Sequence, residues 1–376
     1  MPNPRPFDPD ADREYMKLAL GHAERALWLS NPNPRVGCVI VSPDGRVIGQ
    51  GHTQAAGSHH AEVMALRDAQ THGHDTAGAT AFVTLEPCSH HGRTPPCADA
   101  LVAAALHRVV VATPDPNPLV SGQGVERLRA AGIHVDVGLL GHESRELNVG
   151  FFSRMVRGRP WVRMKMAASI DGISALANGQ SQWITSAQAR ADGHAWRARA
   201  CAVATGIGTV LSDDPSLDVR DVVSPRQPHL VLIDSRLQTP ESAKLWQPER
   251  QVWIYHAAAS ANPAQALLSK AAHALACPNA NGKVDLQAML MDLGRRGINE
   301  LHLEAGAALN ASFLREGWVD EMLIYLAPKW LGQGLGMSTY GPLSHVDQAL
   351  PLHWLDTTPV GSDLRVRLRT HEQLPF

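Results

Sequence analysis

Four residues that suit a zinc site follow one another along the chain: His60, Glu62, Cys88 and Cys97. One imidazole and two thiolates can bind Zn²⁺, and three protein ligands leave one tetrahedral position open for water. Zinc lowers the pKa of such a water to about 7, which makes hydroxide available at neutral pH. A glutamate that is not a ligand moves protons beside the metal in zinc deaminases. The sequence therefore predicts hydrolytic deamination of a nitrogen heterocycle, with His60, Cys88 and Cys97 as ligands and Glu62 as the catalytic residue.

The spacing of these residues also indicates where they lie on their helices. Residues two apart in a helix do not share a face, so His60 must stand at the start of a helix with Glu62 in its first turn. Pro95 and Pro96 precede Cys97, and apolar residues follow it at helical spacing. This pattern places Cys97 at a helix N-terminus, where the helix dipole favours the thiolate.

A less specific interpretation of the same residues stays open, in which they are packing residues or a structural zinc site. A structural site takes a fourth protein ligand, which His59, His90 or His91 can provide. The ordered HxE and Pro-Cys elements favour the catalytic interpretation. The loop of eight residues between the cysteines is longer than in nucleoside or nucleic-acid deaminases. Its Arg93 and two histidines either hold a phosphate or lie solvated at the surface.

Hydrophobic patterning predicts a layered α/β domain around these residues. We expect an amphipathic helix over residues 10–30, a hairpin over 36–41 and 46–50, and a helix over 61–70. Strands at 80–85, 108–112 and 133–137, with a helix near 122–130, complete the alternation. We therefore assign residues 10–147 to a deaminase domain, 148–160 to a junction and 161–376 to a second α/β domain.

The second domain has strand-like runs at 161–168, 200–205, 229–234, 251–255, 300–303 and 321–326. Its Thr205-Gly206-Ile207-Gly208-Thr209 segment lacks the third glycine of a dinucleotide-binding fingerprint. Residues 304–310 are a better phosphate site, because a strand ends there in a glycine turn before a predicted helix, whose free amides can bind phosphate. An ordinary strand-to-helix connection is the alternative.

Composition favours a small-molecule enzyme. The 376 residues suffice for two domains, and 34 Lys+Arg against 36 Asp+Glu give no basic surface for nucleic acid or membrane. Five cysteines fit no secreted disulfide framework, and residues 1–10 lack an apolar leader. We expect a soluble cytoplasmic protein in which Cys38, Cys201 and Cys277 are packing residues.

Longer motifs resemble the bifunctional deaminase/reductase family of riboflavin biosynthesis. They are NPNPxVG at 31–37, HAE at 60–62, TLEPCSHHGRTPPC at 84–97 and DPNP at 115–118. In the second half, KMAASIDG at 165–172, SQWITS at 181–186, DDPxL at 213–217 and IDS at 233–235 continue the match. The resemblance implies a cytidine-deaminase-like three-layer domain followed by a dihydrofolate-reductase-like domain, with zinc, NADPH and a homodimer.

The resemblance also implies a substrate and the residues that contact it. The substrate is 2,5-diamino-6-ribosylamino-4(3H)-pyrimidinone 5′-phosphate, which is deaminated and then reduced by NADPH to 5-amino-6-ribitylamino-uracil 5′-phosphate. Asn33 and His52 line the pyrimidine pocket, and Ala167 stands where many relatives carry Gly. The implied cofactor contacts are Ala167, Trp183, Thr209, Asp213, Ser235, Gly306, Ala307, Ala308, Leu309, Asn310, Ala311 and Ser312. The implied substrate contacts are Ser181, Arg197, Leu217, Arg220 and Glu304, with the two arginines suited to phosphate.

Several alternatives remain at this stage. Lys165 and Asp213 are polar candidates near the hydride-transfer centre without assigned acid or base roles, and Asp213 can instead cap a helix or turn. A nucleic-acid-editing deaminase is one rival function, which the neutral charge and the missing short CxxC oppose. A zinc-stabilised module that only senses the nucleotide is another.

Overall fold

The computed structural model describes residues 8–89, 96–118, 120–258 and 272–376. The chain forms two compact units, Met1–Arg157 and Gly158–Phe376, so the division falls inside the segment assigned as a junction. Within the described ranges, no helix has both the length and the apolar composition needed to cross a membrane.

The N-terminal unit contains a five-stranded sheet in the order β2-β1-β3-β4-β5. β1 is antiparallel to β2 and to β3, whereas β3, β4 and β5 are mutually parallel. The predicted hairpin, helices and strands are confirmed, with ends shifted by a few residues. The elements are α1 (Pro9–Glu24), β1 (Gly37–Val41), β2 (Val47–His52), α2 (Ala61–Thr71), β3 (Thr80–Val83), α3 (Cys97–Ala103), β4 (Arg108–Val111), α4 (Gln123–Ala130), β5 (His134–Val137), α5 (Gly141–Leu147) and α6 (Val149–Arg157).

The first helix is shorter than the predicted 10–30, because it ends at Glu24. Beyond it the amides of Arg25, Ala26 and Leu27 donate to carbonyls three residues back, which tightens the chain into turns. The apolar pattern continues beyond the helix because Ala26 is buried in these turns.

Glycines in the hairpin bring helices close to both faces of the sheet. A Cβ at Gly37 would lie 1.8 Å from the Ala19 carbonyl oxygen of α1, and one at Gly51 would lie 2.6 Å from the Ala61 carbonyl oxygen of α2. Cys38 pairs with Gly51 and shares its face, while Gly37, one residue earlier, points to the other. The sheet therefore lies between helices in the predicted three-layer arrangement.

The C-terminal unit contains a nine-stranded sheet in the order β11-β10-β9-β8-β12-β6-β13-β16-β15. The seven strands from β11 to β13 are parallel, and β16 and β15 add an antiparallel edge. The six strands predicted from the sequence are confirmed. The elements are β6 (Trp161–Ser169), β7 (Ile173–Leu176), α7 (Ala187–Arg199), β8 (Ala202–Gly206), α8 (Ile207–Asp213), β9 (His229–Ile233), β10 (Val252–His256), β11 (Ala272–Ala276), α9 (Leu286–Arg295), β12 (Glu300–Leu303), α10 (Ala307–Arg315), β13 (Glu321–Ala327), β14 (Gly334–Gly336), β15 (His353–Val360) and β16 (Asp363–Arg369).

Three cysteines lie apart from the metal-type cluster of the described residues. Cys38 and Cys201 are buried, and Cys277 is partly buried against the core of the C-terminal unit. This placement agrees with their prediction as packing residues.

Candidate active sites

The start of α2 positions His60 and Glu62. His60 is the residue before the helix, with extended backbone at φ −80° and ψ 168°, and Glu62 lies in the first turn. α2 packs tightly on β2, since a Cβ at Gly49 would lie 2.3 Å from the Ala65 carbonyl oxygen. The helix terminus is therefore fixed, and the predicted positions of His60 just before the helix and Glu62 in its first turn are confirmed.

The two cysteines are held together by the backbone. Cys88 follows the loop after β3, and Cys97 is the first residue of α3. The Cys97 amide lies 3.3 Å from Cys88 Sγ, and the Ala98 amide donates to the Cys88 carbonyl at 3.1 Å. The predicted position of Cys97 at a helix N-terminus is confirmed.

His60, Cys88 and Cys97 form a cluster whose donor atoms all lie within 4.8 Å of one another. His60 Nδ1 is 3.6 Å from Cys88 Sγ and 3.3 Å from Cys97 Sγ. Ordinary zinc bond lengths at a tetrahedral angle separate nitrogen from sulfur by about 3.6 Å, so the donor set fits Zn²⁺. His59 lies outside this cluster, and His90, His91 and Arg93 lie outside the described residues.

The pKa of Glu62 differs from that of an ordinary glutamate. Its side chain is buried, and burial followed by the neighbouring Cys88 raises its pKa to about 7. The neighbouring Cys97 and then His60 lower the pKa of Cys88. A carboxyl group with a pKa near neutrality can both accept and return a proton, which is what general acid/base catalysis requires.

Glu86 is a positioning residue that sequence reasoning missed. Its buried carboxylate accepts four backbone amides: Gly124 at 2.9 Å, Gly122 at 3.0 Å, Asp115 at 3.1 Å and Val125 at 3.2 Å. A carboxylate at the N-terminus of α4 is favoured by the helix dipole. These bonds fix the backbone next to Pro87 and two residues before Cys88, and the signal for this role was the position of Glu86 within the motif at 84–97.

Asn33 and His52 lie outside the metal cluster. The Asn33 amide donates to the Ser30 carbonyl at 2.8 Å, which holds it in a turn. His52 ends β2 opposite Gly37, and burial lowers its pKa, so it is held neutral.

The C-terminal unit has a cavity of about 1010 Å³ at the carboxyl ends of its parallel strands. Such ends are where open α/β sheets bind ligands. Nearly all the predicted cofactor and substrate residues line it; Ala311 does not, because it lies fully buried inside α10. The lining includes Lys165, Ala167, Ser181, Trp183, Arg197, Thr209, Asp213, Leu217, Arg220, Ser235, Glu304, Gly306, Ala307, Ala308, Leu309, Asn310 and Ser312.

Two helices begin at this cavity. α8 starts after Gly206 and α10 starts after Gly306, and both glycines line the cavity wall. A Cβ at Gly206 would lie 3.0 Å from Leu309 Cδ2, so the two turns approach closely. The predicted order of strand, glycine turn and helix at residues 304–310 is confirmed, and amides at such turns suit phosphate. Asp213 is the last residue of α8 and does not cap a helix N-terminus.

Glu304 is the centre of the cavity's charge network. Arg197 donates to both its carboxylate oxygens, at 2.7 and 3.0 Å, and Lys165 Nζ lies 3.8 Å away. Burial opposes ionisation, but Arg197 and Lys165 outweigh it and hold the pKa of Glu304 well below its usual range. Arg220 pairs with Asp218 at 2.5 Å and is half exposed. Of the two arginines proposed for phosphate, Arg220 therefore has the more accessible guanidinium.

Arg250 is a second residue that sequence reasoning missed. Its guanidinium donates to the carbonyls of Ser216 at 2.5 Å, Leu217 at 2.6 Å and Leu245 at 3.1 Å. Burial and then the charge of Arg197 lower the pKa of Arg250 to about 10. Leu217 has a left-handed backbone, φ 51°, which this clamp supports at the cavity wall. No motif signals Arg250, because the two partners at the cavity wall, Ser216 and Leu217, are more than 30 residues earlier.

Known proteins resemble both units. The cytidine and deoxycytidylate deaminase zinc-binding region matches residues 9–113, and the RibD C-terminal domain matches residues 160–366. The riboflavin biosynthesis protein RibD of Escherichia coli is 42% identical over 370 residues, covering 95% of this chain and 99% of that protein.

Solved structures agree along the whole chain. RibD of Acinetobacter baumannii is 41% identical with a TM-score of 0.89, over 96% of this chain and 99% of that one. A Thermotoga maritima protein is 33% identical with a TM-score of 0.86, over the same shares. The latter is described as a diaminohydroxyphosphoribosylaminopyrimidine deaminase/5-amino-6-(5-phosphoribosylamino)uracil reductase.

Proposed function

The chain belongs to the RibD family of bifunctional deaminase/reductases of riboflavin biosynthesis, and on that premise we propose which reactions its two sites catalyse. The first is deamination of 2,5-diamino-6-ribosylamino-4(3H)-pyrimidinone 5′-phosphate, within residues 10–147. The second is reduction of the product's ribosyl chain to ribityl, within residues 161–376. The observation that carries the proposal is the His60, Cys88 and Cys97 cluster beside a buried Glu62.

The deaminase half needs a nucleophile and a proton carrier. Zinc, when held by His60, Cys88 and Cys97, supplies hydroxide near neutral pH. Glu62 would accept one proton of the attacking water and deliver it to the pyrimidine ring nitrogen, and would then pass the second proton of that water to the amine, which leaves as ammonia. The Glu62 carboxyl group is buried and contacts Cys97, which places it beside the metal donors where this proton transfer is needed.

In the reductase half, the main task of the protein is to orient the cofactor and the substrate. NADPH supplies the hydride, and the chain supplies the binding site and the water-excluding walls. We assign the helix starts at Gly206 and Gly306 to the cofactor phosphates, and Arg220 to the substrate phosphate. Ionised Glu304, fixed by Arg197, is placed to accept hydrogen bonds from substrate hydroxyls.

The membership also leads us to propose a cytoplasmic homodimer. Light scattering coupled to size-exclusion chromatography tests the oligomeric state, with twice the chain mass of 40.6 kDa expected. A monomer at micromolar concentration would contradict it.

Mass spectrometry of the pyrimidine product, with and without NADPH, tests both half-reactions together. We expect a deaminated ribosyl product without NADPH and a ribityl product with it. Unchanged substrate with zinc bound, or deamination that requires an RNA strand, would overturn the first half. No NADPH oxidation after addition of the deaminated intermediate would favour a nucleotide sensor.

A further inference from the structure

The strand order of the C-terminal unit indicates which end of the cavity holds the nicotinamide of the cofactor and which end holds its adenosine. The glycine turns proposed for the cofactor phosphates follow β8 and β12, and β6 with Lys165 lies on one side of them. Hydride transfer requires the nicotinamide to face the substrate side, where Glu304 and Arg197 lie. The adenosine half must therefore extend the other way, past β9 toward β10 and β11. This step rests on the proposed placement of the cofactor.

The far end of the cavity is lined by Ser235, after β9, and by Asn279 and Lys283, after β11. The Asn279 amide donates to the Lys283 carbonyl at 2.7 Å, and the Lys283 amide donates to Asn279 Oδ1 at 3.0 Å. Val284 follows in the buried core. The turn that carries Lys283 is therefore anchored on both sides.

Most cationic side chains that line the cavity already contact an acidic group or an aromatic ring. Arg197 and Lys165 form ion pairs with Glu304. Arg220 pairs with Asp218, and Lys244 Nζ lies 3.6 Å from Asp214. Arg190 lies over the Trp183 ring at 4.3 Å and donates to the Thr185 carbonyl. Lys283 forms no ion pair with any acidic group in the described part of the chain.

We propose that Lys283, with the hydroxyl of Ser235, binds the 2′-phosphate of the adenosine ribose and thereby selects NADPH over NADH. This phosphate is a monoester that carries about two negative charges at neutral pH, and NADH carries a hydroxyl in its place. A lysine ammonium on a fixed turn is a suitable point charge for it. Lys244 is less suitable because Asp214 already neutralises it.

Calorimetric titration of the zinc-loaded full-length enzyme with NADP⁺ and with NAD⁺ tests the proposal. Lys283→Gln should weaken NADP⁺ binding by roughly tenfold to a hundredfold, because a charge-assisted hydrogen bond is lost, and should leave NAD⁺ binding unchanged. Lys244→Gln is the matched control, since it removes an equal charge from the same cavity, and it should change neither affinity.

The outcomes separate this inference from the proposed function. Failure of the unmodified enzyme to bind NADP⁺ would contradict the proposed reductase. Binding that Lys283→Gln leaves intact, or that Lys244→Gln weakens instead, would overturn the Lys283 assignment alone. If Lys283→Gln weakened the binding of NADP⁺ and NAD⁺ equally, Lys283 would not recognise the 2′-phosphate.

Discussion

The metal cluster of the N-terminal unit and the cavity of the C-terminal unit differ in how they control the charge of a buried glutamate. In the cluster, three donor atoms lie within 4.8 Å and the pKa of the adjacent Glu62 is raised to about 7. In the cavity, Glu304 is fixed in its ionised form by Arg197 and Lys165. A site that moves protons needs a carboxyl group beside the reacting atoms, whereas a site whose cofactor brings the chemistry can fix its charges.

Glu62→Gln gives the largest expected effect, and it tests the proton-carrying side of this comparison. The amide fills the same space but cannot carry a proton, so we expect deamination to fall by roughly 10²- to 10⁴-fold. Zinc content and NADPH-dependent reduction of the deaminated intermediate should not change. Product formation and metal content, measured on the same preparation, check this.

Glu126→Gln is a suitable control, because Glu126 is an exposed residue in the first turn of α4. It should leave deamination unchanged. If Glu62→Gln deaminates at the normal rate with zinc bound, the cluster is a structural zinc site and the comparison fails.

Sequence reasoning found the residues of the cluster because they lie in short motifs with a local geometric constraint. His60 had to precede a helix, and Pro95-Pro96 placed Cys97 at another. Glu86 was missed because its amide partners lie 29 to 39 residues further along. Only the folded chain brings such groups together.

Glu86→Gln tests how far the cluster depends on that support. The amide nitrogen cannot accept hydrogen bonds, so two of the four backbone amides lose their partner oxygen. Outer-shell changes typically lower metal affinity by roughly 10- to 100-fold, and we expect zinc affinity to fall within this range. Competition with a chromogenic chelator measures it. A lowered melting temperature with unchanged zinc affinity would limit Glu86 to a stabilising role.

The antiparallel edge of the large sheet shows a second limit of sequence reasoning. β16 reads DLRVRLR, in which apolar residues and arginines alternate with the period of a strand, a local signal that sequence reasoning missed. In the fold, Arg367 bonds Glu321 at 2.9 Å and Asp356 at 2.7 Å, and Arg365 bonds Asp192 at 3.1 Å. The acids that pair with these arginines lie on other elements, so the ion pairs that keep this charged face partly buried could not be predicted from the segment alone.

Arg250→Lys gives the smallest expected effect and tests the fixed-charge side of the comparison. Lysine keeps the positive charge but lacks the planar guanidinium group whose two NH2 groups donate to the Ser216 and Leu217 carbonyls. Losing one such bond shifts binding by roughly twofold to tenfold, so the KM for the deaminated intermediate should rise by that factor while kcat changes little. Arg226→Lys is the matched control, because Arg226 also donates to backbone carbonyls, but its partners Ala198 and Ala200 do not line the cavity, whereas Ser216 and Leu217 do. Steady-state kinetics of NADPH oxidation separate the cases: an equal rise in KM for both variants would mean that arginine clamps stabilise the unit generally. A rise confined to Arg250→Lys would show that the cavity depends on backbone held by a charge that never touches the substrate.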